Sequence, residues 1–470
     1  MLNNPSTSDA IFLSDLTQKA KKKAGRQEID RLYPDRSLFL SSLRSPLPKV
    51  RKNAARLLGA LHHPEDCPAL AEALCQETIL YVIPSLILAL GSIQNDTSRA
   101  VLSSYSVPKT EDPADQIHLK EISYALSKAL SYCQTETTFP PFQLSETTSC
   151  LLRAPDGFTD ILCQELSEKG YVPIRCAQGA FLQILDLNPL YSVRCMKELL
   201  IPIGSGIPVL ADSIARQAAP WMTIPYRIEL KNYQGNRSQL IHQIASHIPA
   251  ENSPSHYSIE LRIECNCSVC NLYCRPCNIP DSRFLYRKES LPASIAPETA
   301  ACLSRIILGT CVNPEPYILD PFCGSATLLI ECFQRNPHCH LIGIDRSSAA
   351  IHAARVNSSA ANAQIRLIQK DIRAFRPDRK KVDLILSNLP FGNRVGTHQE
   401  NESLYSDFAR KIPDLIEDQG TVLLYTTDAE LLHRCLASVQ KLKIVDMIRT
   451  SAGGLLPWVF LIRKCNSSNQ

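Results

Sequence analysis

Apolar positions in the first ~130 residues recur at the three- and four-residue spacing of amphipathic helices. In VRKNAARLLGAL, the residues Val50, Ala54, Leu57, Leu58 and Leu61 fall on one stripe, which predicts a helix with a single buried face. IPSLILALGSI from Ile83 and EISYALSKAL from Glu121 carry the same spacing, and Leu58-Gly59 and Leu90-Gly91 lie 32 residues apart. Repetition at that interval predicts stacked two-helix units, an α-solenoid over residues 1–135, with an irregular helical bundle as the alternative. The stretch QTETTFPPFQLSETTS from Gln134 is polar, Thr-rich and Pro-containing, and reads as a linker. Beyond it the pattern turns mixed. GFTDILCQELSEKG predicts a helix capped by Gly170, FLQILDL and YRIELKN short strands, RSQLIHQIASHI a second helix, and HYSIELRIE an alternating strand. This is an α+β region. After Pro297, a helix through Ala300 to Leu308 precedes YILD, HLIGID, IRLIQKD, VDLILSN and TVLLYTT, apolar runs separated by helical stretches. Their alternation predicts parallel strands in a doubly wound, Rossmann-like sheet.

Composition fits this multi-domain reading. The 470 residues allow about three domains at roughly 150 residues each, and 44% hydrophobic with 20% charged residues excludes disordered and collagen-like chains. The longest apolar run, Ile79 to Leu90, is interrupted by Pro84 and falls short of a membrane span. The opening MLNNPSTSDA has no basic segment leading into an apolar one, so no secretory signal is expected and a cytoplasmic location is. The 19 cysteines are then expected to be reduced thiols. Net charge is only +4, but residues 1–60 hold 12 basic against 5 acidic residues, so the remaining 410 sum to minus three. The runs KAKKK at Lys19 and KVRK at Lys49 suit either RNA phosphates or a solvated face, the latter being preferred.

In doubly wound sheets ligands lie beyond the carboxyl ends of the strands, and here those ends form a series. The first is Asp320-Pro321-Phe322-Cys323-Gly324-Ser325-Ala326-Thr327, a small-residue turn running directly into a helix. The second ends at Asp345, 25 residues after Asp320, suited to a ribose hydroxyl pair. The third ends at Asp371-Ile372, where a carboxylate can accept from an adenine amine. The fourth ends Asn388-Leu389-Pro390-Phe391-Gly392. A nicotinamide dehydrogenase is disfavoured, since G-x-G-x-x-G is missing and NLPFG has no role in hydride transfer.

DPFCGSAT together with NLPFG resembles class I S-adenosylmethionine-dependent methyltransferases that modify exocyclic amino groups of bases. The resemblance implies that S-adenosyl-L-methionine is held by Asp320, Cys323, Gly324, Ser325, Thr327, Asp345, Asp371, Ile372 and Asn388. It also implies a catalytic set of Asn388, Leu389, Pro390 and Phe391. The Asn388 oxygen and Leu389 carbonyl would accept the amine hydrogens, Pro390 fix the turn, and Phe391 stack on an everted base. The family turn usually reads G-S-G-T, whereas this chain has Ala326 at the last glycine position. The extra methyl is expected to be tolerated, with strain if φ there is positive.

YRIELKNYQGNR, NSPSHYSIELRIE and DSRFLYRKESLPASIAPETAA look like the stretch before the catalytic domain of THUMP-associated RNA guanine-N2 methyltransferases, a likeness covering roughly residues 150–440. It implies a THUMP-like RNA-binding region over 148–290 and a Rossmann-like methyltransferase domain over 291–465, preceded by the helical repeats over residues 1–135, whose spacing resembles a short HEAT-like array. The segment Arg394-Val395-Gly396 through Leu404-Tyr405 resembles the family's continuation after the catalytic motif. Arg227, Lys231, Arg237, Arg283 and Arg287, interleaved with Tyr226, Tyr233, Phe284 and Tyr286, are the candidate RNA contacts, with solvated strand edges as the plain alternative. Cys265, Cys267, Cys270, Cys274 and Cys277 invite a zinc reading, yet they occupy the place of an ordinary family strand, so no metal is expected. The expected activity is formation of N2-methylguanosine in RNA, with tRNA the preferred substrate and ribosomal RNA the runner-up. The rival readings are DNA adenine-N6 methylation and a catalytically silent RNA-binding scaffold. The N-terminal repeats suggest added substrate reach or a protein partner; no membrane association is expected.

Overall fold

The computed structural model describes residues 7–20, 23–108, 112, 115–133, 142–254, 256–292, 294–377, 381–390 and 398–465. The chain divides into two compact units, residues 1–139 and 140–470, at the stretch read as a linker.

The first unit is helical. Its helices Pro48–Leu61, Ile83–Ile93 and Gln116–Cys133 contain the three aligned segments. Pro48 opens the first of them where a missing N–H costs nothing, and Val50, Ala54, Leu57, Leu58 and Leu61 are all buried. The aligned glycines have a packing reason. A Cβ on Gly59 would sit 2.8 Å from the Cα of Ala89, and one on Gly91 would sit 2.6 Å from the Cα of Ala129. Each glycine therefore receives an alanine of the next aligned helix, backbone against backbone. No helix among the described residues is long and apolar enough to cross a membrane.

The second unit holds two seven-stranded sheets. The first is built from β1 Thr148–Arg153, β2 Ile174–Cys176, β3 Gly179–Ile184, β4 Glu198–Pro208, β5 Tyr226–Lys231, β6 Ile259–Asn266 and β7 Val269–Pro276. Its order is β2-β3-β1-β4-β7-β6-β5, antiparallel except for the β5–β6 pair. The predicted helices appear as Thr159–Glu168, followed by Gly170 at φ +87°, and Arg237–Ser246. The cysteine-rich stretch forms the β6–β7 hairpin, with Cys265 opposite Cys270 and both buried together with Cys274. Among the described residues no group of three or more His, Cys, Asp or Glu is disposed to hold a metal ion.

The second sheet comprises β8 Tyr317–Asp320, β9 His340–Asp345, β10 Ile365–Gln369, β11 Val382–Asn388, β12 Ile416–Thr426, β13 Leu442–Arg449 and β14 Trp458–Lys464. Its order is β10-β9-β8-β11-β12-β14-β13. The five strands read from the sequence are parallel as expected, and β14 and β13 add an antiparallel edge. Helices cover both faces: Pro297–Leu308, Thr327–Arg335 and Ser348–Ala360 pack on one, and His398–Leu415 and Ala429–Ala437 on the other. The two sheets share a core, since one buried apolar cluster extends from Cys150 and Leu152 to Tyr425 and Val459. Arg194 reinforces this junction with paired hydrogen bonds of 2.7 and 2.8 Å to Glu331, which also accepts from the Tyr286 hydroxyl at 2.6 Å.

The glycine–alanine crossings give a direct test of the helical packing. Gly91→Val should destabilise the first unit by roughly 2–3 kcal/mol or more, since the branched side chain must push a helix backbone aside. Circular-dichroism denaturation of the full chain checks this, and a variant as stable as the parent would contradict the crossing.

Candidate functional site

From β8 the chain winds outward through β9 and β10, then returns to the other side of β8 as β11. Loops leaving the carboxyl ends of β8 and β11 therefore part, and such a switch point opens a crevice. Here it is a cavity of about 650 Å³, within the usual range for small-molecule sites. Asp320, Cys323, Gly324, Ser325, Thr327, Asp345, Asp371, Ile372, Asn388, Leu389 and Pro390 all line it. The remaining candidate, Phe391, lies outside the described residues, as do Arg394, Val395 and Gly396.

The turn after β8 donates its backbone N–H groups to acceptors on the next strand end. The Gly324 N–H donates to Asp345 Oδ2 at 3.0 Å, and the Ser347 N–H to Asp345 Oδ1 at 2.9 Å. Cys323 N–H donates to the Ile344 carbonyl at 2.9 Å. Behind the turn, the buried Asn357 amide donates to the carbonyls of Ser325 (3.1 Å) and Glu289 (2.8 Å), and Ser294 Oγ lies 3.0 Å from Ser325 Oγ. Ala326 does adopt a positive φ, +62°, as the residue before the Thr327–Arg335 helix. That conformation costs about 1–2 kcal/mol for a residue with a Cβ. Its methyl, however, is packed into a small apolar cluster with Tyr286, Ile330, Ala354 and Ala363, away from the cavity lining. The departure from glycine thus leaves the cavity unobstructed.

Asp371 is engaged by its own neighbour: Arg373 donates from Nε at 3.0 Å and Nη2 at 2.7 Å, and its backbone N–H at 2.9 Å. The hydrogen-bonded Arg373 guanidinium holds the Asp371 carboxyl below its ordinary range. The acceptor capacity of this carboxylate is therefore shared with an arginine.

Asn388 closes β11 opposite Tyr425, and the chain beyond it is anchored by Leu389 N–H donating to the Tyr425 carbonyl at 2.9 Å. The buried Tyr405 hydroxyl lies 2.9 Å from both the Pro390 carbonyl and Thr426 Oγ1. It can donate to the first and accept from the second, so a tyrosine from a later helix fixes the turn that carries Asn388-Leu389-Pro390. The sequence pattern gave Tyr405 no such role. Ser294, Tyr425, Ala452, Leu455 and Pro457 also reach the cavity wall from segments outside the strand-end series.

The candidate RNA cations differ among themselves. Arg283 is corrected from a surface phosphate contact to an internal clamp. Its side chain is 7% exposed, and it donates to Asp281 and to the carbonyls of Val193 (2.6 Å) and Met196 (2.7 Å). Arg227 pairs with buried Glu260 and lies over the Tyr257 ring, and Arg237 donates to the Leu230 carbonyl. Lys231 is an exposed cation paired with Glu229 at 2.8 Å, and Arg287 is half-buried.

The donor set suits a nucleoside carrying a small charged chain. Carboxylates stand beyond three adjacent strands, an apolar Ile372 offers a flat contact, and the small-residue turn lets backbone approach. S-adenosyl-L-methionine fits this set.

Asp320 lies beneath the turn, fully buried, and accepts from Ser387 Oγ at 2.6 Å and the Phe322 N–H at 3.1 Å. Burial pushes its carboxyl from the ordinary 3.8 up to about 7, against the lowering effect of those donors and with help from the Asp345 charge. A carboxyl raised in the folded state favours folding fully below pH 3.8, and this contribution is lost as pH rises through about 7. A displacement of this size is on the order of 4 kcal/mol. Asp320→Asn keeps an acceptor for both donors without a charge. It should exceed the parent's stability at pH 8 by roughly 1–4 kcal/mol, with the gap closing toward pH 4. Urea unfolding at both pH values checks this; a variant no more stable at pH 8 would contradict a strained carboxylate.

Residues 285–456 match the UPF0020 family, an RMKL-like methyltransferase domain. Among curated proteins, the Mus musculus tRNA (guanine(6)-N(2))-methyltransferase THUMP3 is 26% identical over 167 residues, 32% of this chain and 33% of the relative. The Bos taurus U6 snRNA (guanine-N(2))-methyltransferase THUMPD2 is 27% identical over 118 residues, 25% of this chain and 23% of the relative. The chain spans about a third of the length of the first curated relatives it matches. Among solved structures, TrmN from Thermus thermophilus superposes with a TM-score of 0.55 at 22% identity, covering 67% of this chain and 99% of that one. SMU.472, crystallised with SAH, gives 0.54 at 16% identity, covering 69% and 100%. These likenesses show that the second unit has the Rossmann-like fold of methyltransferases.

Proposed function

We propose that this protein is an S-adenosyl-L-methionine-dependent RNA methyltransferase that forms N2-methylguanosine, with tRNA as its substrate. The carrying observation is that Asn388, Leu389 and Pro390 border the same cavity as the Gly324 turn. The guanine-N2 specificity of THUMP3 and THUMPD2, and the SAH bound to SMU.472, support the substrate group and the cofactor. The tRNA named for THUMP3 and the snRNA named for THUMPD2 favour RNA over a DNA adenine.

The bound cofactor supplies a sulfonium-activated methyl group. The protein's task is then orientation rather than activation of a side-chain nucleophile. A guanine N2 lone pair is delocalised into its ring. Asn388 Oδ1 and the Leu389 carbonyl accept its two hydrogens, keeping electron density on the attacking nitrogen and aiming it. Tyr405, by holding the Pro390 carbonyl, keeps these acceptors from drifting. Asp345 holds the Gly324 turn through the backbone and presents its carboxylate toward the ribose position. Phe391 stacks on the everted base in this reading.

The first sheet serves as a THUMP-like RNA grip over residues 148–290, with Lys231, Arg237 and Arg287 its candidate phosphate contacts and Arg227 a partly committed one. The helical unit is a HEAT-like array, supported by the recurring glycine–alanine crossings, and offers reach toward the RNA or a protein partner.

Purified protein with labelled S-adenosylmethionine and total tRNA should yield N2-methylguanosine on nucleoside mass spectrometry. Asn388→Ala should lower turnover by about 100-fold or more while cofactor affinity by calorimetry stays within several-fold. No cofactor uptake by the parent protein would favour the silent scaffold, and a large loss of affinity in the variant would contradict the role given to Asn388.

A further inference from the structure

The hairpin joining β13 to β14 reaches the cavity in a way the preceding reading leaves unused. Arg449 pairs with Trp458, and the ladder continues outward with Thr450 N–H donating to the Pro457 carbonyl at 2.9 Å. Ala452 and Leu455 exchange both backbone hydrogen bonds, each 3.0 Å, across a two-residue turn of Gly453 and Gly454. Both glycines have positive φ, +58° and +83°, the conformation that tight hairpins need and that side chains resist. A Cβ on either would find nothing within 4 Å, so the tip projects into open space.

The base of this hairpin is fixed. Ser451 Oγ donates to Asp156, and a Cβ on Gly157 would sit 2.6 Å from the Arg449 carbonyl, so the 155–157 turn beyond β1 is packed against it. A braced stem thus carries an apolar tip: Leu455 is 41% exposed and Leu456 53% exposed. Ala452, Leu455 and Pro457 form part of the wall that Asn388 and Pro390 also form. Leaving adjacent leucines half in water beside the cavity forgoes the apolar burial that a covering surface would supply.

We infer that the β13–β14 hairpin tip is a substrate-contacting element, with Leu455 packing on the face of the everted target base. The inference rests on the RNA-methyltransferase reading of the same cavity. A base drawn from its stack exposes two flat apolar faces, and proteins that evert or unstack bases meet them with apolar side chains. Leu455 is a cavity-wall residue exposed enough to do this, and the hairpin's bracing by residues 155–157 ties its position to the sheet proposed to grip RNA. In that geometry Leu455 is a specificity-determining contact, and the Asn388 acceptors aim the amine.

The test compares the parent, Leu455→Ser and Leu455→Met with labelled S-adenosylmethionine and total tRNA. The side chain is half in solvent, so the substitutions leave the fold intact, which thermal melting verifies. Leu455→Ser should lower kcat/KM for tRNA on the order of tenfold or more, with the calorimetric Kd for S-adenosylmethionine within twofold, and Leu455→Met should restore turnover. An active parent with an equally active Leu455→Ser variant would overturn this inference alone. A parallel fall in cofactor affinity would make Leu455 a cofactor contact and also overturn it. A parent that transfers no label to RNA would overturn the RNA-methyltransferase reading, and this inference with it.

Discussion

The reversal of strand order beside β8 is the constraint on which the candidate site depends. With β9 and β10 on one side and β11 and β12 on the other, the loops after β8 and β11 have no neighbour between them. The Gly324–Asp345 hydrogen bond holds one lip of the resulting crevice, and the Leu389–Tyr425 bond holds the other. The second is backbone to backbone, and the first runs from backbone to a carboxylate that the Ser347 N–H also holds, so both lips are anchored to strand ends of the sheet. This suits a reaction in which the reactive methyl group arrives on the cofactor and the protein contributes alignment.

Under the proposed reading, the sheet taken to grip RNA and the cavity must share one frame. The Arg194–Glu331–Tyr286 cluster meets that demand physically, because Glu331 lies on the helix that begins immediately after Ala326. Glu331 is fully buried, so breaking the pair from one side would leave an uncompensated charge, whereas the intact pair with its extra tyrosine hydrogen bond is satisfied. The apolar cluster running from Cys150 to Val459 supplies adhesion, and the ion pair supplies registry. Arg283 belongs to the same junction, stacked beside Phe284 and capping the carbonyls of Val193 and Met196.

Much of the fold could be read from periodicity. The parallel strands were visible as short apolar runs, largely buried in β8, β11 and β12 and only partly buried in the edge strand β10, and the three aligned helices because their stripes face a core. The edge strand β13 escaped notice: LKIVDMIR is largely exposed, so its residues carry no buried alternation. The arginines were harder still. Sequence shows that Arg227 and Arg283 are cations beside aromatics, but the partners that engage them, Glu260 across the strand pair and Val193 ninety residues away, are supplied by folding.

Within the candidate site the division has a simple cause. Residues at strand ends are legible because a parallel sheet delivers consecutive carboxyl ends to one edge, so Asp320, Asp345, Asp371 and Asn388 could be grouped without coordinates. The sequence by itself determined that edge, the helical first unit and the small-residue turn. Only the tertiary structure decided that Tyr405 braces Pro390, that the Ala326 methyl packs away from the cavity, and that a hairpin carrying Leu455 forms part of its wall. Those contacts join segments with no shared period or spacing, and their energies arise from close packing between surfaces that meet only when the chain has folded.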